Sequence, residues 1–197
     1  MKLVLASASP RRRALLARLE IPFECEAAQV TEALLPDEDP EKACLRLATA
    51  KANAIAQRHP EDLVIGADTM VVLGDQVLGK PADLEDARRM LEALSGRTHL
   101  VKTGVAMTVG DGLPPTGFVE TTSVTFHTLD SGDIEEYLRL APPLDKAGAY
   151  GIQDWSGVFV SHISGCYHNV MGFPLARFFQ QLKTTGLLAE LSPRNNL

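Results

Sequence analysis

The first twenty residues constrain the fold most. Lys2–Ala6 is a short apolar run closed by Ser7, the pattern of a buried strand. Ser9 and Pro10 follow at once as a helix start, with serine as N-cap and proline at the first helical position. The helix then opens with Arg11, Arg12 and Arg13, where the helix dipole is already positive. Each exposed charge misplaced there costs about 0.3–1 kcal/mol. Stability alone would favour Asp or Glu, so the three cations raise the question of an anionic ligand.

Beyond this unit, strands and helices are mixed along the whole chain. Asp39-Pro40 caps a helix that runs to about Arg58, with Cys44, Leu47, Ala48 and Ile55 on its apolar face. Leu63–Ile65 and Met70–Leu73 read as two strands interrupted by Gly66-Ala67-Asp68-Thr69, and Gly74-Asp75 as a hairpin turn into Val77-Leu78. Helices are expected over Asp83–Leu94, Ile134–Leu140 and Leu175–Leu182. Strands are expected over His99–Val109, Phe118–Leu129 and Val158–Ile163, the first two joined by GDGLPPTG. There is no repeat, low-complexity segment or long linker, which predicts an α/β chain of one domain over residues 1–190 with a frayed tail at 191–197.

Composition narrows the function. At 197 residues with 45% hydrophobic content the chain can bury a sizeable core, and its net charge of −6 argues against a nucleic-acid or anionic-membrane binder. The charge is segregated: residues 24–41 hold seven acidic side chains and no Lys or Arg, against five basic residues in the first twenty. A local basic focus in an acidic protein suits a small anion better than a long polyanion. Three cysteines without a CxxC pair read as reduced, mostly packed thiols. The apolar run before the arginines is too short for a signal sequence, so a soluble, cytoplasmic protein is expected.

Several residues carry candidate chemistry. Ser7, Ser9, Arg11 and Arg12 surround a loop and helix N-terminus that could cradle a phosphate; the alternative is a cationic turn paired with the acidic 24–41 segment. Lys51 falls on the inward stripe of its helix, either snorkelling or aimed into a cleft. Gly74–Lys80 matches a P-loop for seven positions, but Pro81 stands where Ser or Thr should bind magnesium. That excludes a P-loop and leaves Lys80 as a single phosphate contact. Asp68, between two hydrophobic strands, could act as a general base or metal ligand, with Glu32 as a second hard oxygen donor. The histidines and cysteines have no zinc spacing, and neither GxSxG nor GxGxxG occurs. Together these features favour hydrolysis of a phosphate ester or anhydride with a hard divalent metal.

Five motifs taken together resemble the Maf family of nucleotide pyrophosphatases: S-x-S-P-R-R at 7–12, G-A-D-T at 66–69, G-K-P at 79–81, D-K-A-G-A-Y-G-I-Q at 145–153 and N-V-x-G-x-P-L at 169–175. Phe173 departs from the family's more frequent Leu. The resemblance implies an elongated α/β fold with a central mixed sheet flanked by helices and two lobes with a cleft, similar to inosine-triphosphate pyrophosphatases. It implies hydrolysis of a nucleoside triphosphate to the monophosphate and pyrophosphate, dependent on Mg²⁺ or Mn²⁺, with water attacking the α-phosphorus.

By the same resemblance, Asp68 matches the proton acceptor, also on the metal side, and Glu32 a metal-side carboxylate. Ser7, Arg12, Lys51, Lys80 and Lys146 match positions around the phosphates. Arg11, Thr69 and Gln153 match three positions that separate branches. The branch acting on dTTP and UTP carries these residues, whereas the branch acting on 7-methyl-GTP has a bulky aromatic, Gln and Glu. The implied function is therefore a dTTP/UTP pyrophosphatase that also removes modified pyrimidine nucleotides. Alternatives are 7-methyl-GTP hydrolysis or a nucleotide-binding regulator of septum formation. A homodimer with no nucleic-acid or membrane partner is the accompanying expectation.

Overall fold

In the computed structural model, which describes residues 1–110 and 116–191, the expected opening unit is present. Strand β1 (Leu3–Leu5) is buried at every residue and leads into helix α1 (Pro10–Ala17). The Ser9 side chain accepts a hydrogen bond from the Arg12 amide and so caps the helix. β1 lies parallel to β2 (Phe23–Cys25) on one side and to β3 (Leu63–Leu73) on the other. Burial on both faces explains why β1 reads as a continuous apolar run rather than an alternating one.

The remaining elements are helix α2 (Pro40–Ala56), β4 (Gln76–Leu78), α3 (Leu84–Leu94), β5 (Thr98–Val109), β6 (Thr116–Phe126), α4 (Ser131–Leu140), β7 (Val160–Ser164), α5 (Tyr167–Val170), α6 (Leu175–Thr184) and α7 (Leu187–Leu191). Among the described residues the strands form one seven-stranded mixed sheet in the order β2-β1-β3-β5-β6-β7, with β4 paired to β3. The mixed α/β architecture is as expected. Gly74–Lys80 is indeed a hairpin: β4 returns antiparallel on β3, and Gly74 takes a φ of 59° at the turn. Part of the GDGLPPTG connection (111–115) and the tail after Leu191 lie outside the described residues.

Two expectations are corrected. Residues 66–69 do not interrupt a strand; β3 runs unbroken from Leu63 to Leu73. Gly66 is present for a close approach rather than a turn, since a Cβ there would stand 2.0 Å from the Ala48 carbonyl oxygen on α2. Nor are the cysteines mostly packed: Cys44 is buried, but Cys25 on edge strand β2 is exposed and Cys166 half-buried.

The chain divides into two compact units. The first comprises Met1–Asp68, Thr103–Glu120 and the chain from Gly172; the second comprises Thr69–Lys102 and Thr121–Met171. In the first, the small-residue face of α2 (Ala48, Ala52, Ala56) packs on Val4, Val64 and Ala106. Phe173, the departure noted in the sequence, is fully buried edge-on against Phe178. In the second, α3 and α4 enclose a core that includes Leu91, Val124, Phe126, Tyr137 and Phe159. Among the described residues no helix is long and apolar enough to cross a membrane.

Candidate active site

The first unit brings five of the expected site residues into one electrostatic cluster, starting from the loop between β1 and α1. There the Ser9 amide donates to Ser7 Oγ at 3.2 Å, and Arg12 Nη1 reaches the same oxygen at 3.5 Å. Arg12 Nε donates to the Gly172 carbonyl at 2.9 Å, which ties the start of α1 to the N-V-M-G-F-P-L motif. Burial lowers the pKa of the Arg12 guanidinium from its ordinary value, while the negative charges of Asp68 and Glu32 oppose that shift. Arg11, in the same first turn, is half-buried.

Lys51 sits on the inward face of α2, as its spacing predicts, and is only 7% exposed. Its position follows from the helix–strand contact. The missing side chain at Gly66 lets α2 approach β3 at Ala48 and Ala52. Two residues along, on the same face of the strand, Asp68 meets the next polar group of the helix. Lys51 Nζ donates to Asp68 Oδ1 at 2.7 Å and lies 2.6 Å from Glu32 Oε1. These are lengths of charge-assisted hydrogen bonds. Asp68 is 8% exposed, whereas about half of the Glu32 side chain (52%) faces solvent.

Glu32 belongs to the acidic loop, and that loop is fastened to α2 by a contact that sequence reading did not find. Arg46 donates to Glu38 through both Nε and Nη2, each at 2.6 Å, and Nη2 also reaches the Ala33 carbonyl at 3.1 Å. Hydrogen bonding to Arg46 lowers the Glu38 pKa from its ordinary value. The staple closes one residue beyond Glu32. Two ordinary surface charges eight apart give no signal of it in the sequence.

The second unit holds the other expected residues. Thr69 continues β3 and is half-buried, and Lys80 is exposed. The D-K-A-G-A-Y-G-I-Q run folds against the end of the β3–β4 hairpin, where the Gly148 amide donates to the Gly79 carbonyl at 3.0 Å. Gly148 has a φ of 67° and lies against Val71, where a Cβ would stand 3.0 Å from the nearest side-chain carbon. Lys146 Nζ donates to Asp145 at 2.8 Å and lies 3.5 Å from Asp154. Ser156 Oγ accepts from the Gly151 amide and donates to its carbonyl, which fixes the return of the loop. Gln153 Oε1 is buried and accepts no hydrogen bond from the described residues.

Two buried polar residues hold this unit together without having been foreseen as site residues. His99 Nε2 is 2.8 Å from the Tyr150 hydroxyl; burial pushes the His99 pKa down to about 4 and raises that of Tyr150. Asn169 Nδ2 donates to the Val101 carbonyl and to Thr122 Oγ1. These bonds account for the asparagine of the fifth motif: it locks α5 to the sheet.

The candidate residues therefore form two sets. Ser7, Arg11, Arg12, Glu32, Lys51 and Asp68 lie in the first unit, and Thr69, Lys80, Lys146 and Gln153 in the second. Chemically, the first set offers cations for an anion and two carboxylates able to take a hard divalent ion or a proton.

An α/β fold with two carboxylates on one buried ammonium defines the class of site. Within it, the chain belongs to the Maf-like proteins, whose family model matches residues 2–185. A relative from Koribacter versatilis, named dTTP/UTP pyrophosphatase, is 46% identical over 188 residues, covering 95% of this chain and 96% of the relative. A Bacillus cytotoxicus protein of the same name is 44% identical over 182 residues, covering 92% and 94%. Among solved structures, the Staphylococcus aureus Ham1 protein matches with a TM-score of 0.41 and 18% identity over 64% of this chain and 72% of its own.

Proposed function

We propose that this chain is a nucleoside triphosphate pyrophosphatase that hydrolyses dTTP and UTP, and modified pyrimidine nucleotides of the same shape, to the monophosphate and pyrophosphate. The observation that carries the reading is the convergence of Asp68 and Glu32 on one buried ammonium, in a chain more than two-fifths identical to proteins bearing that name.

A hard divalent ion, Mg²⁺ or Mn²⁺, fits the oxygen donors of Glu32 and Asp68. Such ions take one or two carboxylates and fill their remaining positions with water and substrate phosphates. Bound there, the ion would supply charge neutralisation on the phosphates.

The protein's own residues divide the remaining work. Asp68, held within β3, takes a proton on its carboxylate from the water that attacks the α-phosphorus. As the bond from the α-phosphorus to the bridging oxygen breaks, pyrophosphate leaves with the negative charge. Arg12, held by its Nε, and Ser7 offer preorganised donors to the phosphate oxygens. Lys80 and Lys146 supply further positive charge. Gln153 presents a buried acceptor that the N3–H donor of uracil or thymine would satisfy, and Arg11 and Thr69 complete the selection of base. The working assembly in this reading is a homodimer, which light scattering tests.

A panel of triphosphates with Mg²⁺ or Mn²⁺, with products separated, tests the function. Turnover of dTTP and UTP supports it. Cleavage of 7-methyl-GTP alone would overturn the choice of base, and binding without turnover of any nucleotide would point to a regulator.

A further inference from the structure

The Lys51 ammonium stands where two roles collide. It bridges Glu32 and Asp68 at 2.6 and 2.7 Å, so it occupies the space between the two carboxylates proposed to face the metal. A divalent cation and an ammonium repel at such separations, and each needs the same oxygen lone pairs. One must yield. The lysine can: its charge is compact and rides on a flexible four-carbon stem. Of its two partners, Asp68 is fixed within β3, while Glu32 sits on a loop held by the Arg46 staple.

We propose that Lys51 is an internal counter-ion for the metal. Without metal it holds Glu32 and Asp68 together against their mutual repulsion. On loading it surrenders the space between them and turns its charge to the triphosphate. This inference rests on the reading of Glu32 and Asp68 as metal-side carboxylates, and it adds an order of events: metal binding releases the lysine that the phosphates then use. Metal and nucleotide are coupled through Lys51 as well as through direct contact.

Titration calorimetry with Mn²⁺ alone, without nucleotide, tests this on the full-length chain. The Lys51→Met variant removes the competitor and is expected to bind Mn²⁺ at least about tenfold tighter than the wild type. Lys51→Arg keeps the charge in a broader fork that grips carboxylates more firmly and is expected to bind at least about fivefold weaker. Lys51→Gln, which removes the charge and keeps a polar side chain, is expected to tighten binding in the same direction and replaces the methionine variant should that one not fold. Arg13→Met, which removes an exposed cation in the first helical turn, is expected to change affinity less than about twofold.

Weaker binding by both Lys51 variants would show a merely structural lysine and overturn the proposal. So would an equal gain from Lys51→Met and Arg13→Met, which would reflect only the general field. If the wild type bound no Mn²⁺ with or without dTTP, the metal-side reading itself would fall, and the counter-ion role with it. If the wild type bound and neither variant followed the expected order, the counter-ion role alone would be rejected.

Discussion

Asp68 Oδ1 accepts a hydrogen bond from Lys51 Nζ at 2.7 Å, and both side chains are almost fully buried. Before metal is loaded, the pairing holds the Asp68 carboxylate in place. Asp68→Asn keeps the shape and removes the base. Turnover of dTTP is expected to fall by about 10³-fold, with nucleotide affinity changed by no more than about threefold. Steady-state kinetics and equilibrium binding on the same preparation check this.

The Arg46–Glu38 staple predicts an effect away from the reacting groups. Arg46→Ala frees the loop beside Glu32 and is expected to lower kcat/KM about tenfold while the circular dichroism spectrum stays unchanged. Glu38→Gln should act in the same direction. Wild-type kinetics from both variants would show that the staple does not position Glu32.

Gln153→Glu replaces an amide, able to donate and accept, by a carboxylate that only accepts. Its unpartnered buried oxygen would then carry charge. Turnover of dTTP and UTP is expected to fall by about 100-fold, and the ratio of 7-methyl-GTP to dTTP hydrolysis to rise. A parallel assay of the three nucleotides gives the ratio directly.

Gly66→Ala is a stability prediction. The added methyl would overlap the Ala48 carbonyl oxygen, a backbone atom that cannot rotate away. A loss of roughly 3 kcal/mol or more is expected, measured by denaturant unfolding.

Acidification should weaken the fold through His99. Its folded pKa, near 4, lies below the ordinary 6.5, so between those values the unfolded chain binds the proton and the native chain does not. Stability is therefore full above about pH 6.5 and falls by about 3 kcal/mol as the pH drops to 4. His59 shifts the other way: its hydrogen bond to Glu26 raises its pKa, so its contribution is intact at low pH and fades as the pH rises through the folded value. His99→Gln should flatten the acid slope in unfolding measured at stepped pH.

Much of this was legible in the sequence because local chemistry agreed with the fold. Ser9-Pro10 and Asp39-Pro40 start helices where expected, and the period of α2 put Lys51 inward before any partner was visible. Gly66 reads as a turn because glycine is a common turn signal, yet it is required by Ala48 of α2, 18 residues earlier in the chain, which no local pattern reports. Three-residue β2 was missed because a half-exposed edge strand needs no apolar run. Arg46 and Glu38 look like surface charges until the loop closes. Tertiary contacts, rather than propensity, decide each of these.

The central claim is hydrolysis at the α-phosphorus, and the position of isotope from solvent tests it most directly. Single-turnover cleavage of dTTP in ¹⁸O-labelled water, read by mass spectrometry, should place the label in dTMP and none in pyrophosphate. Label in pyrophosphate, or release of dTDP with inorganic phosphate, would contradict the account.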